Sequence, residues 1–451
     1  MNPTVTIYIT NYNYGKYIAQ SIESVLGQTY KAIDLIIIDD GSTDNSHEII
    51  HTYAGLENVR TVFQKNKGLN ATNNVAIELA QGKYIMRLDA DDFLEPSAVA
   101  IMVALLEADD SLGLVFPDYY YVDAQGNVTG QERRHHFDDE VTLYDQPAHG
   151  ACTMVRLDFL KALGGYDESF SCQDGYELWI KFTAFHKVTN ISRPLFSYRR
   201  HGNNLTTNEK RILDTRKEIK RKFVEKHLLT PKTLAIIPVR SLILKGQNWA
   251  LTKLSEKTVI EHKVETCLNA MSVNHVVITT SEPHLFEVFE LMFMSNNRVS
   301  VIKRPEELAK PTVTLSHTVD YVLNSLDIHF DAIITAAIEY PFVEPSTVDE
   351  VVHSLVLFKA DSVITVKAEL NTFYRHNGKS FKPILDHDKH TKYEREALYK
   401  GVGGLVVSTS ENFKSNRTMI SNRVAHVLVD DKHAFGVFNE FDYELLKSYL
   451  N

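Results

Sequence analysis

The sequence predicts an α/β protein of two domains, each built on a parallel sheet covered by helices, with a helical linker between them. Three observations carry that expectation. The chain has 451 residues, roughly two to three times the usual length of one domain. Short apolar, β-rich runs alternate with amphipathic helical patterns from Val5 onward, and a second series of the same kind starts after Thr230. Between the two lies a charge-dense stretch in which Ile212, Leu213, Ile219, Phe223, Val224 and Leu228 recur at roughly helical spacing.

In the first series, residues 5–10, 34–39, 61–63 and 84–89 read as strands, each short, rich in β-branched or aromatic residues and separated from the next by a helical pattern. The run from Leu35 to Ile38 is apolar throughout, as befits a strand buried on both faces. The second series places strands at 234–238, 275–279, 299–302, 332–335 and 362–366. Domains at 1–207 and 233–451 follow, joined by a helix within 208–232. The linker carries Lys210, Arg211, Arg216, Lys217, Lys220, Arg221 and Lys222. These residues read either as a solvated face or as a surface that meets anionic lipid headgroups.

Composition narrows the function classes. With 44% hydrophobic and 24% charged residues the chain is ordinary for a soluble protein, and its longest apolar runs are strand-sized rather than membrane-spanning. No basic segment followed by an apolar stretch opens it, so the expected location is the cytoplasm, with peripheral contact at the inner membrane face as the lipid reading of the linker would have it. Cys152, Cys172 and Cys267 lie far apart without metal-ligand spacing, which suits core thiols in a reducing compartment. A formal net charge of −10 speaks against a nucleic-acid partner.

Two acidic turns stand out. Asp39-Asp40-Gly41-Ser42-Thr43-Asp44 closes the second strand, and the carboxyl ends of parallel strands are where open α/β sheets bind ligands such as nucleotides. A helix cap made by Ser42, Thr43 or Asp44 explains the same residues equally well. Asp89-Ala90-Asp91-Asp92 closes the fourth strand. Carboxylates one residue apart at a strand end can hold Mn2+ or Mg2+ against a diphosphate, whereas unpaired they repel one another. A loop or capping role is the alternative.

Further segments follow in a fixed order: Thr10-Asn11-Tyr12-Asn13, Ser24-Val25-Leu26-Gly27-Gln28-Thr29, the first acidic turn, Asn66-Lys67-Gly68 followed by Asn73, Gly82-Lys83-Tyr84-Ile85, and the second acidic turn. Then come Gly164-Gly165-Tyr166-Asp167, Gln173-Asp174 with Leu178-Trp179, and Tyr198-Arg199-Arg200-His201. This ordered set, spanning about 5–206, resembles the family 2 glycosyltransferases, whose GT-A fold is Rossmann-like. The resemblance implies an inverting enzyme that moves a sugar from a nucleoside diphosphate, uridine diphosphate being the favoured carrier, to a hydroxyl of a glycan, glycolipid or glycoprotein acceptor in surface polysaccharide biosynthesis. It further implies that Thr10, Asn11, Tyr12, Asp40, Lys67, Asn73 and Asp89 contact the nucleotide sugar, that Asp91 with Asp89 and His201 holds Mn2+ or Mg2+, and that Asp174 is the general base. Each has a blander reading: Tyr12 as packing, His201 as a satisfied surface histidine, Asp174 as a helix cap. His149 and Trp179 line the acceptor pocket or belong to the core. Thr72 stands where many members have arginine, and Gln173 where glutamate commonly precedes the base.

In the second domain, Ala235-Ile236-Ile237-Pro238-Val239-Arg240, Arg304-Pro305-Glu306-Glu307-Leu308-Ala309, Pro341-Phe342 and Ala360-Asp361-Ser362-Val363 resemble, in order, the cytidylyltransferases that activate sialic and related acidic sugars, a nucleotidyltransferase-like fold. Their catalysis needs a glycine-rich basic loop that cradles the triphosphate. Here Ser241-Leu242-Ile243-Leu244-Lys245-Gly246-Gln247-Asn248 occupies that place, and Gly436-Val437-Phe438-Asn439-Glu440 stands where two metal-binding aspartates are expected. The expectation is a domain that no longer transfers nucleotides and serves as a homodimer contact, in acceptor positioning or in recognition of an acidic sugar. The alternatives are a bifunctional protein that also activates an acidic sugar, and a noncatalytic sugar-binding scaffold, against which the presence of Asp40, Asp89, Asp91, Asp174 and His201 weighs.

Overall fold

The computed structural model describes residues 2–132, 150–201, 209–369, 373–376, 378–384 and 398–450. His149 lies outside the described residues. The chain divides into two compact units, Met1–Arg216 and Lys217–Asn451.

The first unit begins with four βα-alternating strands: β1 (Val5–Asn11), α1 (Ile18–Leu26), β2 (Ile33–Asp39), α2 (Ser46–His51), β3 (Val59–Phe63), α3 (Leu69–Leu79) and β4 (Tyr84–Asp89). There follow β5 (Phe93–Leu94), α4 (Ala98–Ala108), β6 (Leu112–Val122), β7 (Val128–Glu132), β8 (Met154–Arg156), α5 (Leu157–Ala162), α6 (Asp174–Phe185) and β9 (Lys187–Arg199). The sheet runs β3-β2-β1-β4-β8-β6-β9-β5, with β7 paired to β6. Its β3-β2-β1-β4 half is parallel, as the sequence predicts. The other half is mixed, because β8 runs antiparallel to both β4 and β6, and β5 antiparallel to β9. Ile7 and Ile9 of β1, Leu35 and Ile37 of β2, and Met86 and Leu88 of β4 form one core with Ile18, Ile22 and Val25, the apolar stripe of α1. Each such side chain contributes about 1.5–3 kcal/mol through burial.

Helix α7 (Glu209–His227) contains the division between the units. Its basic residues are largely committed within the protein. Lys210 pairs with Asp214 at 2.9 Å, Arg216 donates to Gln173 at 2.7 Å, Lys220 is buried on Glu350 at 2.5 Å, and Arg221 is held by Glu218 and Glu225. No described helix is long and apolar enough to cross a membrane.

The second unit contains β10 (Thr233–Val239), β11 (Ile243–Leu244), β12 (Gln247–Asn248), β13 (Lys253–Leu254), β14 (Lys257–Thr258), α8 (Val259–Asn269), β15 (Val273–Thr280), α9 (Pro283–Phe293), β16 (Val299–Lys303), α10 (Leu315–Asn324) and β17 (Ala332–Ala336). It continues through α11 (Pro345–Leu357), β18 (Ser362–Glu369), β19 (Tyr374–His376), β20 (Phe381–Pro383), β21 (Leu398–Thr409), α12 (Ser410–Asn416), β22 (Val424–Leu428) and α13 (Glu440–Leu450). The main sheet is ordered β16-β15-β10-β17-β21-β18-β22, parallel from β16 to β17, with β21 antiparallel to both its neighbours. Where the resembled cytidylyltransferases need an open glycine-rich loop, this chain folds the β11–β12 hairpin. Its two turn residues, Lys245 and Gly246, have φ of 49° and 78°, the left-handed pair that a tight hairpin turn requires. Leu244 is buried beneath it.

Candidate active site

Strand register brings the two acidic turns together. Asn11 at the end of β1 lies opposite Asp39 on one side, and Thr10 lies opposite Asp89 on the other. Asp39 is wholly buried and organises the first turn: it accepts from Asn11 Nδ2 at 2.7 Å and Ser42 N at 2.9 Å, and its Oδ1 lies 2.9 Å from His47 Nε2. Burial pushes this carboxyl up, but the bonds from Ser42, Asn11 and His47 outweigh it and hold the pKa below the ordinary value. Gly41, at φ +83°, leaves no room for a side chain, since a Cβ would stand 2.8 Å from Asn66 N.

Asp40 is buried as well, with Oδ1 accepting from Lys67 N at 2.9 Å and Gln64 Nε2 at 2.8 Å, and Oδ2 accepting from Gly68 N at 3.0 Å. It therefore fastens the loop before α3 to the first turn. Lys67 supplies a backbone donor there and keeps its side chain exposed. Tyr12, 49% exposed, projects from the loop after β1. The structure does not bring Asn73 to this cleft. Asn73 is wholly buried in α3 and accepts from the Tyr8 hydroxyl at 3.2 Å, so it packs the sheet rather than facing a ligand. Thr72 is buried beside it, its hydroxyl donating to Gly68 O at 3.0 Å.

At the second turn, Asp91 Oδ2 lies 2.9 Å from His201 Nε2. The imidazole stacks on Tyr17, ring centroids 5.7 Å apart, with Tyr14 at 5.5 Å. Burial and the charge of Asp89 raise the Asp91 pKa against the bond from His201. Asp92, also buried, accepts from Arg199 N at 2.9 Å; burial together with Asp91 and Asp89 pushes its pKa well up. Arg199 is a buried brace, donating from Nε to Asp91 O at 2.8 Å and from Nη2 to Gln20 Oε1 at 2.6 Å while lying over the Tyr17 ring.

Asp174 is the first residue of α6, directly after Gln173, whose φ of 64° is left-handed. Its Oδ2 accepts from Nη1 of Arg87, a residue the sequence reading did not single out. Arg87 lies two positions before Asp89 in β4, hence on the same face of the strand, and its Nε is 2.9 Å from Asp89 Oδ1. Burial opposes charge on this guanidinium, yet Asp174 and Asp89 outweigh it and hold the pKa well above the ordinary value. Gly150 closes over the pair: a Cβ there would stand 2.6 Å from Arg87 Nη2 and 3.1 Å from Asp174 Oδ2. Trp179 is wholly buried and edge-on to Phe116 at 5.5 Å, which makes it core rather than pocket lining.

Among the described residues no three His, Cys, Asp or Glu side chains form a ready-made metal cage. The groups present, the Asp91 carboxylate one hydrogen bond from the His201 imidazole with Asp89 two residues away, are hard oxygen and imidazole donors of the kind that would hold a divalent ion. That donor set suits Mn2+ or Mg2+.

A model named glycosyl transferase family 2 matches residues 6–164, and one named cytidylyltransferase matches residues 234–400. The chain is 33% identical over 238 residues to chondroitin synthase of Escherichia coli, covering 50% of this chain and 33% of that protein. It is 29% identical over 205 residues to hyaluronan synthase of Pasteurella multocida, covering 45% and 21%. With an uncharacterised glycosyltransferase of Methanocaldococcus jannaschii the identity is 30% over 213 residues, 44% of this chain and 71% of the other. The chain thus spans about a third or less of the length of the synthases, but most of the archaeal protein. Among solved structures, S. aureus TarS 1-349 in complex with UDP-GlcNAc aligns with a TM-score of 0.43 at 17% identity, over 50% of this chain and 68% of that one.

Proposed function

Because this chain belongs, through its N-terminal unit, to glycosyl transferase family 2, we propose that it is an inverting glycosyltransferase that passes a sugar from a nucleoside diphosphate to a hydroxyl of a glycan, glycolipid or glycoprotein during surface polysaccharide assembly. Uridine diphosphate is the carrier we favour. The kinship with chondroitin and hyaluronan synthases supports the polysaccharide setting.

One observation carries the reading. The donor-side acid Asp89 and the acceptor-side acid Asp174, far apart in sequence, flank one side chain at the carboxyl ends of the parallel strands. In the proposed mechanism Tyr12 stacks on the nucleotide base, and Thr10 and Asn11 line its side of the cleft. Asp40 acts there by holding the Lys67–Gly68 backbone in place. A divalent ion held by Asp91, Asp89 and His201 would neutralise charge developing on the diphosphate as it leaves. Asp174 takes the proton from the attacking acceptor hydroxyl, which approaches the anomeric carbon opposite the leaving diphosphate. A single displacement of this kind inverts the anomeric configuration. Asp174→Asn should lower transfer by about 100-fold or more while nucleotide binding stays intact. Retention of full transfer by that variant would remove Asp174 from the mechanism.

For the second unit we infer loss of nucleotide transfer. The β11–β12 hairpin stands in place of a phosphate cradle. The Tyr340 ring also fills space next to β21, where a Cβ on Gly404 would stand 3.2 Å from its Cγ and one on Gly436 3.2 Å from its Cε1. The match to a cytidylyltransferase model leaves a bifunctional protein as the second reading. Incubation with cytidine triphosphate and a set of acidic sugars separates the two: our reading expects no pyrophosphate.

A further inference from the structure

We propose that Arg87 is a positioning residue that aims the Asp174 carboxylate and ties its placement to Asp89 on the donor side. The inference rests on the reading of Asp174 as general base.

Arg87 is 5% exposed, so its charge is removed from water and must be met by neighbours. It meets two carboxylates at once: Nη1 donates to Asp174 Oδ2, Nη2 donates to Asp89 Oδ2 at 3.4 Å, and Nε lies at ion-pair distance, 2.9 Å, from Asp89 Oδ1. A planar guanidinium can do this because its donors point along fixed, divergent directions, whereas an ammonium offers a single charge centre. Among the described residues the bond to Asp174 is made to Oδ2, which anchors the carboxylate and leaves Oδ1 to receive a proton. Gly150 removes the slack: with its missing Cβ position 2.6 Å from Nη2 and 3.1 Å from Asp174 Oδ2, the main chain at this point presses the two side chains together.

The link to Asp89 gives the arrangement a second property. A donor diphosphate and its cation compete with Arg87 for Asp89. Once Asp89 turns to them, the guanidinium is left to Asp174 alone, so the base is held most firmly when a donor is in place.

The test uses the full chain and the uridine diphosphate sugar that it hydrolyses fastest, with water as acceptor and Mn2+ present. Azide serves as an alternative nucleophile that has no proton to lose. Arg87→Met and Asp174→Asn should each lower nucleotide release to water by at least about tenfold. Azide should restore release in both, with formation of the glycosyl azide, while the dissociation constant for uridine diphosphate stays within about threefold of wild type. Arg87→Lys, which keeps charge but not the fork, should fall between wild type and Arg87→Met. Loss of nucleotide binding in Arg87→Met, or failure of azide to restore it where Asp174→Asn is restored, would assign Arg87 a purely structural role and overturn the proposal. Wild-type release by Asp174→Asn would instead overturn the general-base reading beneath it.

Discussion

At position 150 there is room for a hydrogen and nothing larger, because the Arg87–Asp174 pair occupies the space a methyl would need. Gly150→Ala should therefore push the two side chains apart and cost about tenfold or more in turnover. Its effect on nucleotide binding, followed by titration calorimetry, should be small, since the atoms nearest a Cβ at Gly150 belong to Arg87 and Asp174. A second residue offers a test by pH. Lys263 is buried in α8, its ammonium donating to Tyr340 O at 2.8 Å, and burial lowers its pKa from 10.5 to about 8. The unfolded chain keeps that proton up to the ordinary value while the folded chain releases it near 8, so Lys263 makes stability rise with pH across that interval, by about 3 kcal/mol. Urea midpoints for wild type and Lys263→Met should diverge at neutral pH and converge as the pH climbs through the window; a constant offset would contradict this. Residue identity at the acidic turns was legible beforehand because each turn is a contiguous run at a strand end. Arg87 and Asn73 were not. One of the two partners of Arg87, Asp174, lies in another element, and the burial of Asn73 depends on which face of α3 meets the sheet, which its neighbours Thr72 and Asn74 do not reveal.

Among the elements, the strands expected at 84–89 and 299–302 appear as β4 (Tyr84–Asp89) and β16 (Val299–Lys303), because apolar runs bounded by turn residues are local signals. The mixed half of the first sheet was less legible. β8 is only Met154–Arg156, too short for a period, and its antiparallel placement between β4 and β6 is set by long-range pairing. Helix α8 shows how much a local signal can carry. Thr258 accepts from Glu261 N at 3.3 Å while the Glu261 carboxylate accepts from Thr258 N at 2.7 Å, a reciprocal capping box. Thr258→Ala should cost about 1 kcal/mol, read from urea unfolding followed by the fluorescence of buried Trp249 in a Trp179→Phe background. An unchanged midpoint would mean that packing of Val259 and Ile260 alone fixes the start of the helix.

For the whole molecule, two sheets of related design carry different chemical equipment at the carboxyl ends of their parallel strands. The first presents acids, an imidazole and an exposed tyrosine. The second presents a hairpin and a tyrosine ring packed beside its own main chain. Sugar transfer is accordingly proposed for the first unit and no nucleotide transfer for the second. The most direct test of the central claim is nucleotide release by the purified chain across a panel of nucleotide sugars, with Mn2+ or Mg2+, alongside Asp91→Ala. The account predicts metal-dependent release from one donor, lost in the variant. No release from any donor, together with no metal-dependent binding of the nucleotide, would contradict it and leave a sugar-binding scaffold in its place.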